Sequence, residues 1–201
     1  MTRESYAGTV KSSLVAYADE SSVTRSPTHQ EYLVCATILE RSELEELREE
    51  LQPLLLPGQI KLHWTDEGDK RRRQVVQTIS RLDTFQVIIT NHSERSRKTE
   101  RYRRKCLEAL YFELSSMKIT DLTLESRQES QNRKDMEHIV ALQAKGQCRG
   151  ITVTHVRGGD DPLLWIPDVV LGAFNATHQG ENEYWEALQE KVILQRRAMG
   201  G

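Results

Sequence analysis

Apolar and polar positions alternate along this chain in short blocks, and each block predicts an element. Leu14-Val15-Ala16-Tyr17-Ala18 is an apolar run that stops at Asp19-Glu20-Ser21-Ser22, which reads as a buried strand with acids at its end. Tyr32 to Leu39 is a second, β-branched run, and the turn residues Ser26-Pro27-Thr28-His29 make the two a hairpin. Leu44, Leu47 and Leu51 recur at helical spacing in an acidic stretch that Ser42 would cap and Pro53 ends. Gln59-Ile60-Lys61-Leu62-His63-Trp64 alternates like a third strand. A helix over 69–82 follows, with Val75, Ile79 and Leu82 on one face, then a strongly β-type run over 84–90.

In the second half, 96–114 reads as a long helix, 119–124 as a strand, 130–144 as a helix closed by Lys145-Gly146, and 151–156 as the last strand. Leu163 to Thr177 is an apolar helix, and 182–197 reads as a final amphipathic helix whose apolar face suits an oligomer contact. Strands grouped first and then alternating with helices predict an α/β class: a mixed sheet, its first three strands antiparallel, flanked by helices. A flexible stretch over 1–12 and one domain over 13–201 complete the expected organisation.

Composition narrows the function classes. With 201 residues, 28 Lys and Arg against 30 Asp and Glu, and 37% apolar residues, the chain suits a globular domain with a real core. No apolar run approaches a membrane span, and Met1 to Ser5 opens no secretory leader, so a cytoplasmic protein is expected. Three cysteines without a C-x-x-C and histidines without an H-E-x-x-H give no zinc pattern.

The near-neutral total hides unlike regions. Residues 93–105 carry seven Lys or Arg against two Glu, and 40–50 carry six Glu against two Arg. Arg97, Arg101, Arg104 and Lys105 would share one helix face, either as a phosphate-binding surface or as a solvated face pairing with the acidic helix.

Three acids stand apart. Asp19 and Glu125 follow strands, and Asp168 lies in the most apolar window of the chain, with no Lys or Arg between Arg157 and Lys191 to neutralise it from its own helix. Gly172, one turn on, would leave space beside it. The alternative for Asp168 is a first-turn acid favoured by the helix dipole. Carboxylates from strand ends and a helix can converge at a sheet edge, where hard oxygen ligands suit Mg²⁺ or Mn²⁺ and phosphodiester cleavage. Lys61 and His63 would sit at the rim of such a site, as phosphate contacts or a proton donor, or else on a solvated strand face.

Tyr17-Ala18-Asp19-Glu20-Ser21 resembles the opening Y-x-D-E-S motif of the bacterial and phage family known as domain of unknown function 3800. Leu164-Trp165-Ile166-Pro167-Asp168-Val169-Val170-Leu171-Gly172-Ala173 is similar to that family's C-terminal L-Q-x-A-D-x-x-x-G-A helix, with Trp165 in place of Gln and Pro167 in place of Ala. The resemblance spans roughly 14–177. It implies a ribonuclease H-like fold and a metal-dependent nuclease, with Asp19, Glu125 and Asp168 as catalytic metal ligands and Glu20 and Asp135 as further ligands or groups behind them. The competing expectation is an inactive ribonuclease H-like module that binds nucleic acid or a protein partner.

Overall fold

The computed structural model describes residues 12–96 and 99–198; the expected loose N-terminal stretch lies almost wholly outside them. Among the described residues six strands form one sheet: β1 (Leu14–Thr24), β2 (His29–Glu40), β3 (Phe85–Glu94), β4 (Asp121–Glu125), β5 (Thr152–Val156) and β6 (Val192–Arg197). Their order across the sheet is β5-β4-β1-β2-β3-β6. β2 is antiparallel to both β1 and β3, whereas β4 is parallel to β1, β5 to β4 and β6 to β3. Every strand except β2 therefore ends at the same edge. The helices are α1 (Leu44–Leu51), α2 (Asp69–Arg81), α3 (Glu100–Ser116), α4 (Glu129–Ala144), α5 (Trp165–Thr177) and the single turn α6 (Glu183–Glu186).

Strand alternation divides the core into two layers. Val15 and Tyr17 of β1, Leu33, Cys35 and Leu39 of β2 and Ile88 of β3 pack against α1, α2 and α5. Ala16 and Ala18, then Val34, Ala36 and Ile38, then Val87 and Ile89 pack against α3 and α4. The α/β class expected from the sequence, a mixed sheet with antiparallel first strands and helices on both faces, is the one observed.

Three local expectations are corrected. Residues 59–63 form no strand: both neighbours of β3 in the sheet are other strands, and the segment instead crosses towards a short 3-10 turn at Trp64–Asp66. Its alternation is nevertheless physical, because Leu62 is buried in the core while Lys61 and His63 stay half-buried on the other side.

The final helix over 182–197 is also absent. After α6 and a 3-10 turn the chain enters β6, which pairs with β3 and shows strict alternation of half-buried and exposed positions. Val192 to Arg197 follows its partner strand rather than its own apolar spacing, and the oligomer face expected on that helix does not exist. Lastly, Ser42 does not cap α1; it lies in a 3-10 turn that runs straight into the helix, and no side chain caps that end.

Candidate metal centre

Asp19 and Glu20 are neighbours on β1 and point to opposite faces. Asp19 is opposite Cys35 and Glu20 opposite Val34, and those two partners belong to the α5-side and α3-side cores respectively. Asp19 therefore faces α5 and Glu20 faces α3. On β4 the last residue in register with β1 is Leu124, paired with Ala18, and both lie in the α3-side core. Glu125, one step on, turns to the α5 side beside Asp19. Asp168 enters the same space from the first turn of α5.

Each of the three is half-buried on the α5 side, where Asp19 feels the charges of the other two. Burial pushes the Asp19 carboxyl well above the usual carboxylate range, and the negative charges of Asp168 and Glu125 push it further. Asp19 Oδ1 accepts the Glu20 N–H at 2.7 Å, which offsets only part of this.

The cation among them is Lys61. Its Nζ lies 2.5 Å from Glu125 Oε1. Burial works to lower the Lys61 pKa, but the Glu125 hydrogen bond and the charges of Glu125, Asp19 and Asp168 outweigh it and raise the value. The pair needs Gly158: a Cβ there would lie 2.7 Å from Glu125 Oε1 and 2.9 Å from Lys61 Cδ. Trp165 donates its indole N–H to the Gly158 carbonyl at 2.6 Å and so fixes this loop.

Asp168 is held from the same segment. His63 Nδ1 stands 3.0 Å from Asp168 Oδ1, and the Trp64 N–H donates to Oδ2 at 2.7 Å. The Asp168 hydrogen bond raises the His63 pKa above its ordinary value. The space expected beside Gly172 is filled: the Trp64 ring lies on it, and a Cβ at Gly172 would come within 2.1 Å of Trp64 Cγ. Among the described residues no three His, Cys, Asp or Glu side chains are grouped closely enough to hold a metal ion as they stand. Beside Asp168 lies a groove of about 320 Å³ whose polar lining includes Ser21, Ser22, Thr65 and Asn175.

The other face carries a different cluster. Arg103 Nε bonds Glu20 at 2.5 Å, and the same guanidinium bonds Asp135 through both of its terminal nitrogens, one at 2.9 Å. Arg127 adds contacts to Glu20 at 3.5 Å and Asp135 at 3.4 Å, and His155 Nε2 is 3.1 Å from Asp135. Arg103 and Asp135 are each only 2% exposed. Burial alone would raise the Asp135 pKa, but His155 and the two arginines hold it below the usual range. The structure thus places Glu20 and Asp135 across the sheet from Asp19, Glu125 and Asp168.

Sequence reasoning missed Arg103. The signal was present: Arg103 shares its stripe on α3 with Cys106, Leu107 and Leu110, and an Arg on an apolar stripe requires a buried acid. Of the basic residues expected to bind phosphate, Arg97 lies outside the described residues. Arg101 and Arg104 are exposed on α3, and Lys105 lines a cavity with Phe112 and Arg196. α3 packs on the face opposite to α5, so these residues are on the far side of the sheet from the three acids.

No protein-family model matches the chain, and no curated protein matches it. Among solved structures it is similar to RNase HII in its complex with PCNA from Archaeoglobus fulgidus, with 16% identity and a TM-score of 0.46 over 89% of this chain and 77% of that one. It is also similar to Bst-RNase HIII in complex with Mn²⁺ (9% identity, TM-score 0.41) and to a mutant of that protein (10%, 0.36). In both cases 88% of this chain is covered, and the chain spans about half the length of the other, 54%.

Proposed function

We propose that this chain is a divalent-metal-dependent nuclease that hydrolyses a phosphodiester bond, with Asp19, Glu125 and Asp168 as the ligands of Mg²⁺ or Mn²⁺. One observation carries the reading: Asp19 of β1, Glu125 at the end of β4 and Asp168 in the first turn of α5 share the α5 face of the sheet. The donors are of the right kind, hard carboxylate oxygens, but they would have to draw together and release Lys61 to hold an ion. A bound ion would supply the usual metal contribution, a water made acidic and a stabilised leaving oxygen.

The remaining work belongs to the chain. Lys61 neutralises Glu125 and holds the cluster together; once its Nζ leaves Glu125 it can contact a phosphate oxygen. His63 engages Asp168 through Nδ1, which leaves Nε2 to carry a proton to or from the substrate. The Trp64 N–H and the ring seated on Gly172 keep Asp168 aimed into the groove.

The test is cleavage of labelled DNA, RNA and their hybrid in Mn²⁺ by the wild type and by purified, folded Asp19→Asn and Asp168→Asn. The expected loss is about 100-fold or more, the scale seen when charge-stabilising groups are removed from an active site. Equal cleavage by all three proteins would overturn the reading. A second reading, an inactive module that binds nucleic acid or a protein partner, is favoured by the ion pair that already engages Glu125. It calls for binding that persists in chelator and weakens steeply with salt.

A further inference from the structure

From the groove beside Asp168, α5 runs on to the turn end of the β1–β2 hairpin, where charge of the opposite sign collects. Asn175 links the two places: its Nδ2 donates to Ser21 Oγ at 3.2 Å, and its Oδ1 accepts from Arg25 at 2.6 Å. Beyond it is a cavity of about 520 Å³ lined by Arg25, Glu31, Thr90, His92, His178 and Arg197.

Strand alternation puts this cavity on the same face as the three acids. Glu31 is two residues before Leu33 and shares its side, His92 is paired with Glu31, and Arg197 is paired with Thr90. His178 closes α5. Three of the chain's six histidines gather here, because His29 stacks on His92 with ring centroids 5.0 Å apart.

The charge around the cavity is unbalanced. Arg25 is fixed by Glu31 at 2.8 Å and by Asn175, so Glu31 is already neutralised and the Arg25 guanidinium is held in place. Arg197 is exposed, donates only to the His92 carbonyl at 3.3 Å, and makes no ion pair among the described residues. Arg95 follows the end of β3 and is tied by its N–H to the Thr28 carbonyl at 2.8 Å; Glu94 is the other acid nearby.

We infer that this hairpin-end cavity is an anion site, and that it takes a backbone phosphate of the polynucleotide whose reacting phosphodiester lies at Asp19, Glu125 and Asp168. The inference rests on the nuclease reading for its substrate and on the cavity's own residues for its chemistry. Arg25 is six residues beyond Asp19 along an extended strand, about 20 Å. That reach corresponds to roughly six steps of a nucleic-acid strand at about 3.4 Å each. A duplex shorter than this cannot touch both places.

The experiment is fluorescence anisotropy in chelator, with fluorescein-labelled DNA and RNA, single- and double-stranded, of about 5 and about 20 nucleotides. The proteins are the wild type, Arg197→Glu, a His92→Ala/His178→Ala double variant, and Lys134→Glu as an equal charge change on α4. For the long probes Arg197→Glu should weaken binding about tenfold and reduce the salt slope by about one, with a smaller loss for the histidine variant. Short duplex probes and Lys134→Glu should show no change, while short single strands, which extend further per nucleotide, should follow the long probes with a smaller loss. Long-probe binding by Arg197→Glu equal to wild type overturns the anion site, as does an equal loss with Lys134→Glu. The cleavage assay separates this from the parent reading: the expected binding pattern from a protein that never cleaves leaves the anion site standing and removes the nuclease. Failure of the wild type to bind any probe overturns the site.

Discussion

Asp19 and Glu20 are consecutive residues of one strand, and the sheet gives them opposite surroundings. On the α3 side, Glu20 and Asp135 are both gripped by the buried Arg103, with Arg127 and His155 beside them, and Arg127 also reaches Glu100 at 3.4 Å. On the α5 side, Asp19, Glu125 and Asp168 meet one lysine and one histidine. Acids gripped by a buried guanidinium are costly to separate from it and have no call on a ligand. A cluster with surplus charge raises its own pKa values and is stabilised by any cation that enters. The difference separates a structural lock from the proposed metal site, although each takes one carboxylate from the middle of the same strand.

The largest expected effect comes from opening the lock. Arg103→Met leaves Glu20 and Asp135 with only the half-exposed reach of Arg127 and His155, and should cost about 3–5 kcal/mol in urea denaturation. Metal affinity at the opposite face should change little in whatever fraction stays folded. A cost below about 1 kcal/mol would mean that the cluster is no tighter than a surface ion pair.

A smaller effect, of opposite sign on the two faces, appears with pH in metal-free protein. The Asp19 pKa is raised in the folded state, so its contribution is fully present below the ordinary aspartate value and is lost as pH rises through the folded one. Asp19→Asn should remove that decline and leave the protein more stable at neutral pH. Asp135 is lowered, so its contribution is present above the ordinary value and is lost as pH falls through its folded one. Asp135→Asn should therefore destabilise at neutral pH and flatten the acid limb. Urea midpoints across pH would check both; identical profiles for the two variants would erase the distinction between the faces.

Only the α5 side of this contrast was legible in the sequence, which grouped Glu20 and Asp135 with the three acids. Asp19, Glu125 and Asp168 stood out because each ends or interrupts an apolar run, and a lone acid in such a run needs a partner. Their common face was not legible, since it depends on the parallel register of β1 and β4. Lys61 and His63 were found through alternation, but for the wrong element: the period-2 pattern came from Leu62 anchoring a crossing segment, with no strand beside it. β6 was hidden because six residues of mixed polarity adopt a strand only when an edge such as that of β3 is available. The division between Asp19 and Glu20 follows from the strand period alone, yet which neighbour faces α5 required the packed helices.

The most direct test of the central claim is Mn²⁺ titration calorimetry of the wild type, Asp19→Asn and Lys61→Met. Surplus carboxylate charge on the α5 face predicts binding by the wild type at millimolar metal or below and its loss in Asp19→Asn. It also predicts about tenfold tighter binding in Lys61→Met, because the competing ammonium at Glu125 is gone. No binding by any of the three, or equal affinity in wild type and Asp19→Asn, would contradict the account.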